Sequence, residues 1–320
     1  MKILDSTTPV VLKDFNFSTG IIEYDFEPID TRFTSLYFRR KNEKENECFY
    51  FRTAQAGNPQ AVDAIQYAPH LDGVNLWDML FHYQSNATFH TGQWNHVKLV
   101  VSEEQMRVYI NNSKNPDLTE EKLEGNTETG SIAFDGKVIL SNLQITPDAT
   151  ENLPAKAGAD LTQNDARYLR NWQVSTPFEI AEQVDFDYQY FPSDNTQWTP
   201  ITAENRGLIN LTRQFGGHEG REMVWLKTTI KAESDKKVRL NLGFSDDVWV
   251  FLNERLLYVD KNTYAHPIMK SPDGRCSVEN TNFDVPLQEG DNELLIGVAN
   301  NFFGWGIIAR LATLKGLKIE

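Results

Sequence analysis

The sequence has few of the features that cross-link small domains or anchor a chain in a membrane. Its 320 residues include only two cysteines, Cys48 and Cys276, which excludes a disulfide framework and a zinc site built from cysteines. No stretch approaches the ~20 apolar residues that a membrane-spanning helix requires. The N-terminus lacks the basic start and apolar run of a secretory signal. We expect a soluble protein, cytoplasmic if this N-terminus is native and extracellular or periplasmic if a signal peptide was removed.

Positive charge is also scarce. Lys and Arg number 31 against 45 Asp and Glu, which gives a formal net charge of -14 at pH 7. Such a chain is repelled by polyphosphate and by anionic lipid, so neither nucleic acid nor a membrane is expected as a partner. The hydrophobic share of 40% and the aromatic share of 12% are those of a folded globular chain. A length of 320 residues corresponds to about two domains.

Helical periodicity is missing from residues 10 to 146, which read as short alternating segments bounded by turn residues. The alternation from Gly20 to Glu27 puts apolar side chains on one face and the carboxylates of Glu23, Asp25 and Glu27 on the other. Eight such segments predict two packed sheets. They are Gly20 to Glu27, Ser35 to Arg39, Cys48 to Thr53, Ala64 to Tyr67, Trp94 to Ser102, Gln105 to Asn111, Gly130 to Phe134 and Val138 to Gln144.

A segment rich in small residues, 148 to 171, separates this half from a second β-rich half. Within it, Thr162 followed by Asp165 resembles a capping box and predicts a short helix through Arg170. We therefore predict an all-β chain of two β-sandwich (jelly-roll) domains, residues 1–147 and 172–320, joined by a linker with a short helix. The strands predicted in the second half are Met223 to Lys231, Lys237 to Phe244, Val248 to Leu252, Leu256 to Val259, Asn282 to Val285, Glu293 to Val298 and Gly306 to Leu311.

The order and spacing of the strands in the first half carry a resemblance to a known fold. A hairpin runs from Trp94 to Asn111, and closing strands follow at Gly130 to Ala133 and Leu140 to Leu143. With the strand at Gly20 to Phe26, these segments resemble the concanavalin A-like, laminin-G-like sandwiches of sugar-handling proteins. That fold includes lectins, glycosidases, the 3-keto-disaccharide hydrolase domain and adhesion modules, so the resemblance does not fix one function.

The second half resembles a galactose-binding-like sandwich of the kind attached to glycoside hydrolases. The resemblance rests on Val224 to Lys227, Leu242 to Asn253 and Leu287 to Val298, the last with a Gly-x-Asn-x-Leu entry to its strand. The adjacent Asp246 and Asp247 are also similar to the Asp-Asp pair of anthrax-protective-antigen-type domains. That likeness implies a calcium site beside a bound sugar.

Three carboxylates form the first candidate site. Glu23, Asp25 and Glu27 are similar to the Glu-x-Asp-x-Glu strand of laminarinase-type glycosidases, in which the outer carboxylates act as nucleophile and general acid. Retaining hydrolysis needs two carboxyl groups ~5 to 5.5 Å apart, and alternate residues on a strand are ~6.6 to 7 Å apart at the backbone. The alternative is that these residues are the solvated outer face of a sheet.

An aromatic and polar surface is the second candidate site. Sugar recognition needs a flat π face and planar hydrogen-bonding groups, and long loops over a rigid sandwich commonly carry function. The alternative is that the aromatic residues only fix the loop from Thr53 to Phe89 in place. The predicted ligand-binding residues of this region are Arg52, Gln66, Tyr67, His70, Trp77, His82 and Tyr83.

Two further candidates lie in the second half. Calcium takes 6 to 8 oxygen ligands, and Asp246 and Asp247, with Asn253, Asp260 and Asn262 nearby, could supply several of them. The alternative is that the carboxylates cap exposed backbone N–H groups. Trp305, between two glycines, is predicted to lie either at a ligand surface or in the core.

The function predicted from these features is a carbohydrate-associated binding protein whose partner is an oligosaccharide or glycoconjugate. One alternative is a glycoside hydrolase, or a relative of the 3-keto-disaccharide hydrolases, that uses the carboxylates of the first sandwich. Another is a non-catalytic module that binds protein through a large apolar patch. No Gly-x-Ser-x-Gly motif and no phosphate-binding loop occurs. No cofactor is predicted besides calcium, and the oligomeric state stays open.

Overall fold

A computed structural model describes residues 1–3, 8–181, 186–217 and 220–319. The chain is nearly all β, with 47% of residues in strands and 5% in helices, which confirms the all-β, β-sandwich prediction. It divides into two compact units, Met1–Ala159 and Asp160–Glu320.

The described part of the first unit contains fourteen strands, and each of the eight predicted segments overlaps one of them. In chain order the elements are β1 Lys2–Ile3, β2 Val10–Val11, β3 Gly20–Pro28, β4 Phe33–Arg40, β5 Glu47–Arg52, a 3-10 helix at Thr53–Gln55, β6 Ile65–Tyr67, β7 His70–Leu71, β8 Val74–Asn75, β9 Gln84–Ser85, β10 Asn95–Val101, β11 Met106–Ile110, β12 Leu118–Glu120, β13 Ser131–Asp135 and β14 Val138–Pro147.

Two six-stranded antiparallel sheets make up this unit. The first, called the β3 sheet below, has the order β1-β14-β3-β10-β11-β12, and the second, the β5 sheet, has the order β2-β13-β4-β5-β6-β9. Strands β7 and β8 form a separate two-stranded ribbon. The hairpin β10-β11 lies beside β3, so its side chains share a face with the carboxylates of β3.

The core of the first unit follows from the alternation of β3. Ile22, Tyr24 and Phe26 are buried. The ring centroid of Phe26 lies 4.4 Å from that of Phe51 on β5, and the ring of Tyr24 lies 5.2 Å from that of Phe134 on β13. Burial of each such side chain contributes about 1.5 to 3 kcal/mol. The polar residues of β3 are left on the opposite, outer face of the β3 sheet.

The described part of the second unit contains twelve strands and one short α-helix. Its elements are β15 Asn171–Ser175, β16 Phe178–Glu179, a 3-10 helix at Tyr188–Tyr190, β17 Trp198–Thr202, a 3-10 helix at Asn205–Gly207, β18 Leu208–Asn210, α1 Leu211–Phe215, β19 Glu222–Ala232, β20 Lys236–Ser245, β21 Asp247–Leu252, β22 Arg255–Lys261, β23 Thr281–Leu287, β24 Gly290–Ala299, β25 Gly306–Leu311 and β26 Leu317–Ile319.

An eight-stranded and a four-stranded sheet build this unit. The β19 sheet has the order β17-β15-β19-β24-β21-β22, with β16 and β26 also paired to β19, and the β20 sheet has the order β18-β25-β20-β23. Strand β21 is buried along its whole length because both of its faces are covered. Val248 and Val250 face the main core, whereas Trp249 and Phe251 join a second aromatic cluster with Trp225 on the other face.

The predicted linker is wrong in its first part, because residues 148–159 belong to the first unit. Leu153 is buried in a cluster with Ile21 and Val100. The carbonyl oxygen of Pro154 accepts a hydrogen bond of 2.6 Å from Ser102 Oγ. This segment therefore completes the first domain.

The predicted helix from Thr162 to Arg170 is also absent, and turns and a bridge occupy this segment. The Thr162 hydroxyl donates to Asp160 Oδ1 at 2.8 Å and accepts from Arg170 at 2.6 Å. The backbone N–H of Thr162 also binds Asp160 Oδ1, at 2.8 Å. The hydroxyl that would cap a helix is thus used in a turn, and the following Leu169 enters the core of the second unit.

Among the described residues, no helix is long and apolar enough to cross a bilayer.

Candidate functional site

The outer face of the β3 sheet brings together polar side chains that are far apart in sequence. Antiparallel pairing sets His96 of β10 opposite Asp25 of β3, and Lys98 opposite Glu23. Because side chains alternate along a strand, all four point to the same outer face. Each is partly exposed, between 25% and 31% for its side chain. A ligand approaching this side of the sheet can therefore reach all of them.

His96 holds two of the carboxylates in place. Its Nδ1 atom lies 2.8 Å from Asp25 Oδ1, and its Nε2 atom lies 3.6 Å from Glu23 Oε1. Asn142 on β14 donates from Nδ2 to the other Asp25 oxygen at 2.6 Å. Partial burial of Asp25 would raise its pKa, but the hydrogen bonds from His96 and Asn142 outweigh it and lower the pKa. The Asp25 carboxylate is therefore ionised and fixed at neutral pH.

Aromatic rings flank this row. Trp94 immediately precedes β10, two residues before His96, and is 53% exposed. Tyr109 of β11 pairs with Lys98, whose Nζ lies 5.7 Å from the centre of the tyrosine ring. Lys98 Nζ also lies 2.5 Å from Glu151 Oε1. We call this surface the β3 face and define it by Glu23, Asp25, Glu27, Trp94, His96, Lys98, Tyr109 and Asn142.

The predicted carboxylate site thus lies on an accessible face. Glu23 and Asp25 contact the same imidazole, and Glu27 lies further along the same side of β3. An ionised Asp25 suits a base or a nucleophile and not a general acid. The catalytic assignment of the three carboxylates stays a prediction.

Part of the predicted ligand surface lies on the outer side of the β5 sheet. Arg52 donates from Nη1 to the carbonyl oxygen of Asp63 at 2.8 Å and from Nη2 to Gln66 Oε1 at 2.6 Å. Gln66 is fully buried, and its amide nitrogen donates to the carbonyl oxygen of Trp77 at 2.8 Å. Trp77 packs against a buried cluster that includes Tyr50. These contacts fix the loop in place, as the alternative interpretation holds.

Other members of the predicted surface belong to a buried polar network. The hydroxyl of Tyr67 donates to Glu47 Oε2 at 2.6 Å and accepts from the backbone N–H of Glu124 at 2.6 Å. Tyr83 donates to Glu124 Oε1 at 3.0 Å, and the ring of His82 lies 4.1 Å from that of Tyr83. Burial raises the pKa of Glu47 to about 7. Tyr67 and Tyr83 are buried and present no ring face to a ligand.

His70 lies apart from this network, on the ribbon strand β7. Its Nδ1 atom is 3.0 Å from Asn46 Oδ1, and its ring lies 5.8 Å from that of Tyr37. Burial lowers the pKa of His70 to about 4. The imidazole is therefore neutral at physiological pH.

The two aspartates predicted to bind calcium serve the fold of the second unit. Asp246 Oδ2 accepts hydrogen bonds of 2.6 Å from the backbone N–H groups of Asn301 and Phe302. Asp247 forms an ion pair with Arg221. This is a backbone cap and an ion pair, the alternative to a calcium site, and burial raises the pKa of Asp246 to about 7.

The three residues predicted as further calcium ligands are also engaged in other contacts. Asn253 Oδ1 accepts from the backbone N–H of Glu293 at 2.9 Å. Asp260 pairs with Lys270 at 2.7 Å, and Asn262 Nδ2 donates to the carbonyl oxygen of Phe244 at 2.8 Å. Within the ranges 1–3, 8–181, 186–217 and 220–319, no group of three or more His, Cys, Asp or Glu side chains could hold a metal ion.

Trp305 is a core residue, so of its two predicted positions the structure supports the core and not the ligand surface. The side chain is 0% exposed and packs in the main cluster of the second unit. Its backbone N–H donates to Thr212 Oγ1 at 3.0 Å, and its indole N–H donates to the carbonyl oxygen of Gly216 at 3.4 Å. It fastens the end of its loop to α1, while the preceding Phe302 and Phe303 are exposed.

Sequence reasoning missed the part of the β3 face that β10 supplies. The signal is the alternation of Trp94, His96 and Lys98, which runs antiparallel to that of the carboxylates of β3. Two such polar rows on adjacent strands of a sandwich lie on one face when the strands pair in register. Neither the sequence of β3 nor that of β10 alone determines the register in which the two strands pair.

No protein-family model matches the chain, and no curated protein matches it. Among solved structures, it is similar to the carbohydrate-binding module CBM66 from Bacillus subtilis, with 12% identity, 41% of this chain and 76% of that chain covered, and a TM-score of 0.32. Galectin-1-L2 from Danio rerio is 13% identical. The similarity covers 43% of this chain and 100% of the galectin chain, with a TM-score of 0.34. A family 35 carbohydrate-binding module from an environmental isolate is 18% identical. The similarity covers 30% of this chain and 69% of the module, with a TM-score of 0.24.

These similarities concern the fold class alone. The similar structures are carbohydrate-binding modules, galectins and a glycosyl hydrolase-like protein from Parabacteroides distasonis, with jelly-roll sandwich folds. The particular pairing of a concanavalin A-like with a galactose-binding-like domain stays a prediction from the sequence.

Proposed function

We propose that the protein binds an oligosaccharide on the β3 face. The observation that carries this proposal is the fixed polar row of Asp25, His96 and Asn142, with the exposed Trp94 two residues before His96 in the chain. An indole can cover the apolar C–H side of a pyranose ring, and carboxylate, imidazole and amide groups can bind its neighbouring hydroxyls. The polar groups are pre-positioned by their mutual hydrogen bonds, which reduces the entropy lost on binding.

The negative charge of the β3 face and of the whole chain indicates which class of sugar is bound. The face carries the carboxylates of Glu23, Asp25 and Glu27, and the whole chain has a net charge of -14. Both features disfavour an acidic glycan, so the proposed ligand is a neutral oligosaccharide. A polar face of this kind also differs from the large apolar patch that a protein-binding module would present.

The test is isothermal titration of the full chain with neutral hexasaccharides of glucose, xylose and N-acetylglucosamine. For the sugar that binds, Trp94→Ala and Asp25→Ala should each weaken affinity about tenfold or more, equivalent to about 1.4 kcal/mol. The matched control is Phe33→Ala, because Phe33 is an exposed aromatic residue of the same unit on the β5 sheet. This variant should bind like the wild type.

Three outcomes decide the proposal. Unchanged affinity in both β3-face variants would overturn it, as would equal losses in the Phe33→Ala control. Release of reducing sugar during the titration, lost in Glu23→Gln, would instead favour the glycoside hydrolase alternative. That alternative uses the outer carboxylates of β3, Glu23 and Glu27, as nucleophile and general acid.

A further inference from the structure

One end of the β3 sheet is crossed by the segment that follows β14. This segment, residues 148–158, is called the strap below. The backbone N–H of Asp148 donates to the carbonyl oxygen of Thr19 at 3.0 Å, just before β3 begins. At the other end of the strap, the N–H of Gly158 donates to the carbonyl oxygen of Glu121 at 2.7 Å, just after β12 ends. The strap therefore spans the sheet from β14 to β12, with β3, β10 and β11 between them.

The middle of the strap covers the outer side of this sheet. Ile21 of β3 pairs with Val100 of β10 in the same register that pairs Glu23 with Lys98. Alternation points all four side chains outward. Ile21 and Val100 are nevertheless only 9% and 1% exposed, and they form one buried cluster with Leu153 of the strap. A ligand that lies along the strands of the β3 face therefore meets the strap just beyond Glu23.

The strap presents polar groups to this end of the β3 face. Glu151 Oε1 lies 2.5 Å from Lys98 Nζ, and the two side chains keep 45% and 26% of their surface exposed. Tyr109 packs against the cluster that contains Leu153. The φ angle of Glu151 is 47°, in the left-handed region that is unfavourable for a residue other than glycine. Such positions cluster at binding sites, where the surrounding structure holds them.

The opposite end of the β3 face is exposed. Asn95 of β10 pairs with Phe26 at this end, and residues 91–94 before it are all exposed. The outward residues of β3 between this end and the strap run from Glu27 to Glu23, ~13 Å in an extended strand. The polar groups of the face succeed one another in this direction. A sugar chain that contacts all of them therefore lies along the strands, with room for only a few rings.

We propose that the β3 face binds the end of an oligosaccharide chain and not an internal stretch, with the terminal sugar unit against Glu151 and Lys98. This inference rests on the proposed function and states which part of the ligand is recognised. An internal stretch would have to continue through the strap, whereas a chain end can stop there and leave past Trp94. The Glu151 carboxylate can accept from terminal hydroxyl groups, which a glycosidic linkage would remove.

The experiment is isothermal titration of the full chain with two ligands of the same sugar and linkage. One is the hexasaccharide that binds, among those of glucose, xylose and N-acetylglucosamine, and the other is a longer soluble chain. We expect one protein molecule per sugar chain and the same affinity per chain for both, because a longer chain adds internal units but no ends. Several protein molecules on each longer chain would overturn chain-end binding and leave the β3 face standing.

A substitution in the strap tests the contact itself. Glu151→Ala should weaken hexasaccharide binding about tenfold, because the terminal hydroxyl groups lose a charged acceptor. Glu293→Ala is the matched control, since this glutamate of the second unit has a side chain 47% exposed and also pairs with a lysine, Lys227, at 3.9 Å. It should bind like the wild type. Exposed ion pairs contribute little to stability, so urea unfolding should be similar for the two variants.

The outcomes separate this inference from the proposed function. Wild-type affinity in Glu151→Ala, with weaker binding in Trp94→Ala, would overturn the chain-end site and leave sugar binding on the β3 face. Equal weakening in Glu151→Ala and Glu293→Ala would also overturn the chain-end site. If none of the hexasaccharides binds the wild type, the proposed function is overturned and this inference with it.

Discussion

At the level of single residues, the most unusual chemistry lies in buried carboxyl groups rather than in the exposed ones. Asp246 and Glu47 are each at most 2% exposed, and burial raises the pKa of both to about 7. Asp25, by contrast, is partly exposed and hydrogen bonded, and its pKa is lowered. The buried carboxyl group of Asp246 therefore has a structural role in its loop, whereas the partly exposed Asp25 is available to a ligand.

The raised pKa of Asp246 predicts how stability depends on pH. The ordinary pKa of 3.8 applies to the unfolded chain, whereas the folded protein keeps the proton up to about pH 7. The contribution of this proton is therefore complete below pH 3.8 and is lost as the pH rises through 7, with a slope of at most about 1.4 kcal/mol per pH unit. In Asp246→Asn the side chain no longer titrates, so this pH-dependent contribution to the free energy of unfolding is absent. Urea unfolding should show the variant gaining stability relative to the wild type between pH 4 and pH 7, with no further gain above. A difference in the free energy of unfolding between the two proteins that does not change with pH would refute this prediction.

At the level of secondary structure elements, long strands can be predicted from the sequence, whereas the pairing between them cannot. The alternation of β3 is a local property, so its inner and outer faces follow from residues Gly20 to Glu27 alone. The two-residue strands β1, β2 and β7 are too short to show alternation. The β3 face needs β10 and β14 beside β3, a pairing between residues about 70 and 117 positions apart. Sequence reasoning therefore found the carboxylates of this face but not their histidine.

Arg39 shows how the two sheets of the first unit are held together. Located on β4 of the β5 sheet and 2% exposed, it donates to the carbonyl oxygens of Ser18, Ser102 and Glu103 at 2.8, 2.6 and 2.9 Å. The last two lie in the turn between β10 and β11. A guanidinium group can serve three carbonyls in fixed directions, which an ammonium group cannot.

Arg39→Lys should therefore destabilise the first unit by at least about 2 kcal/mol, because buried carbonyl groups lose their donors. Arg32→Lys is the control, since Arg32 forms an exposed pair with Asp30 and surface pairs contribute about 1 kcal/mol or less. Urea unfolding of both variants measures the difference. Similar small losses in the two variants would show that Arg39 does not hold the sheets together.

At the level of the whole molecule, the chain forms two compact units whose boundary lies between Ala159 and Asp160. The composition change at residue 148 predicted a boundary earlier in the chain. Small residues and prolines are typical of linkers, but they also occur in segments that lie flat against a sheet. Here Leu153 provides the apolar anchor of such a segment, and no periodicity surrounds it to reveal that role.

Two fragments test where the first domain ends. Residues 1–159 should unfold cooperatively as an isolated domain, because they form a compact unit. Residues 1–147 lack Leu153, which covers Ile21 and Val100, and also lack the carbonyl oxygens that accept from Ser102 and Gln105. Loss of one buried leucine side chain alone costs about 2 to 5 kcal/mol. Thermal and urea unfolding should show the shorter fragment to be less stable by at least this amount, and equal stabilities would place residues 148–159 outside the domain.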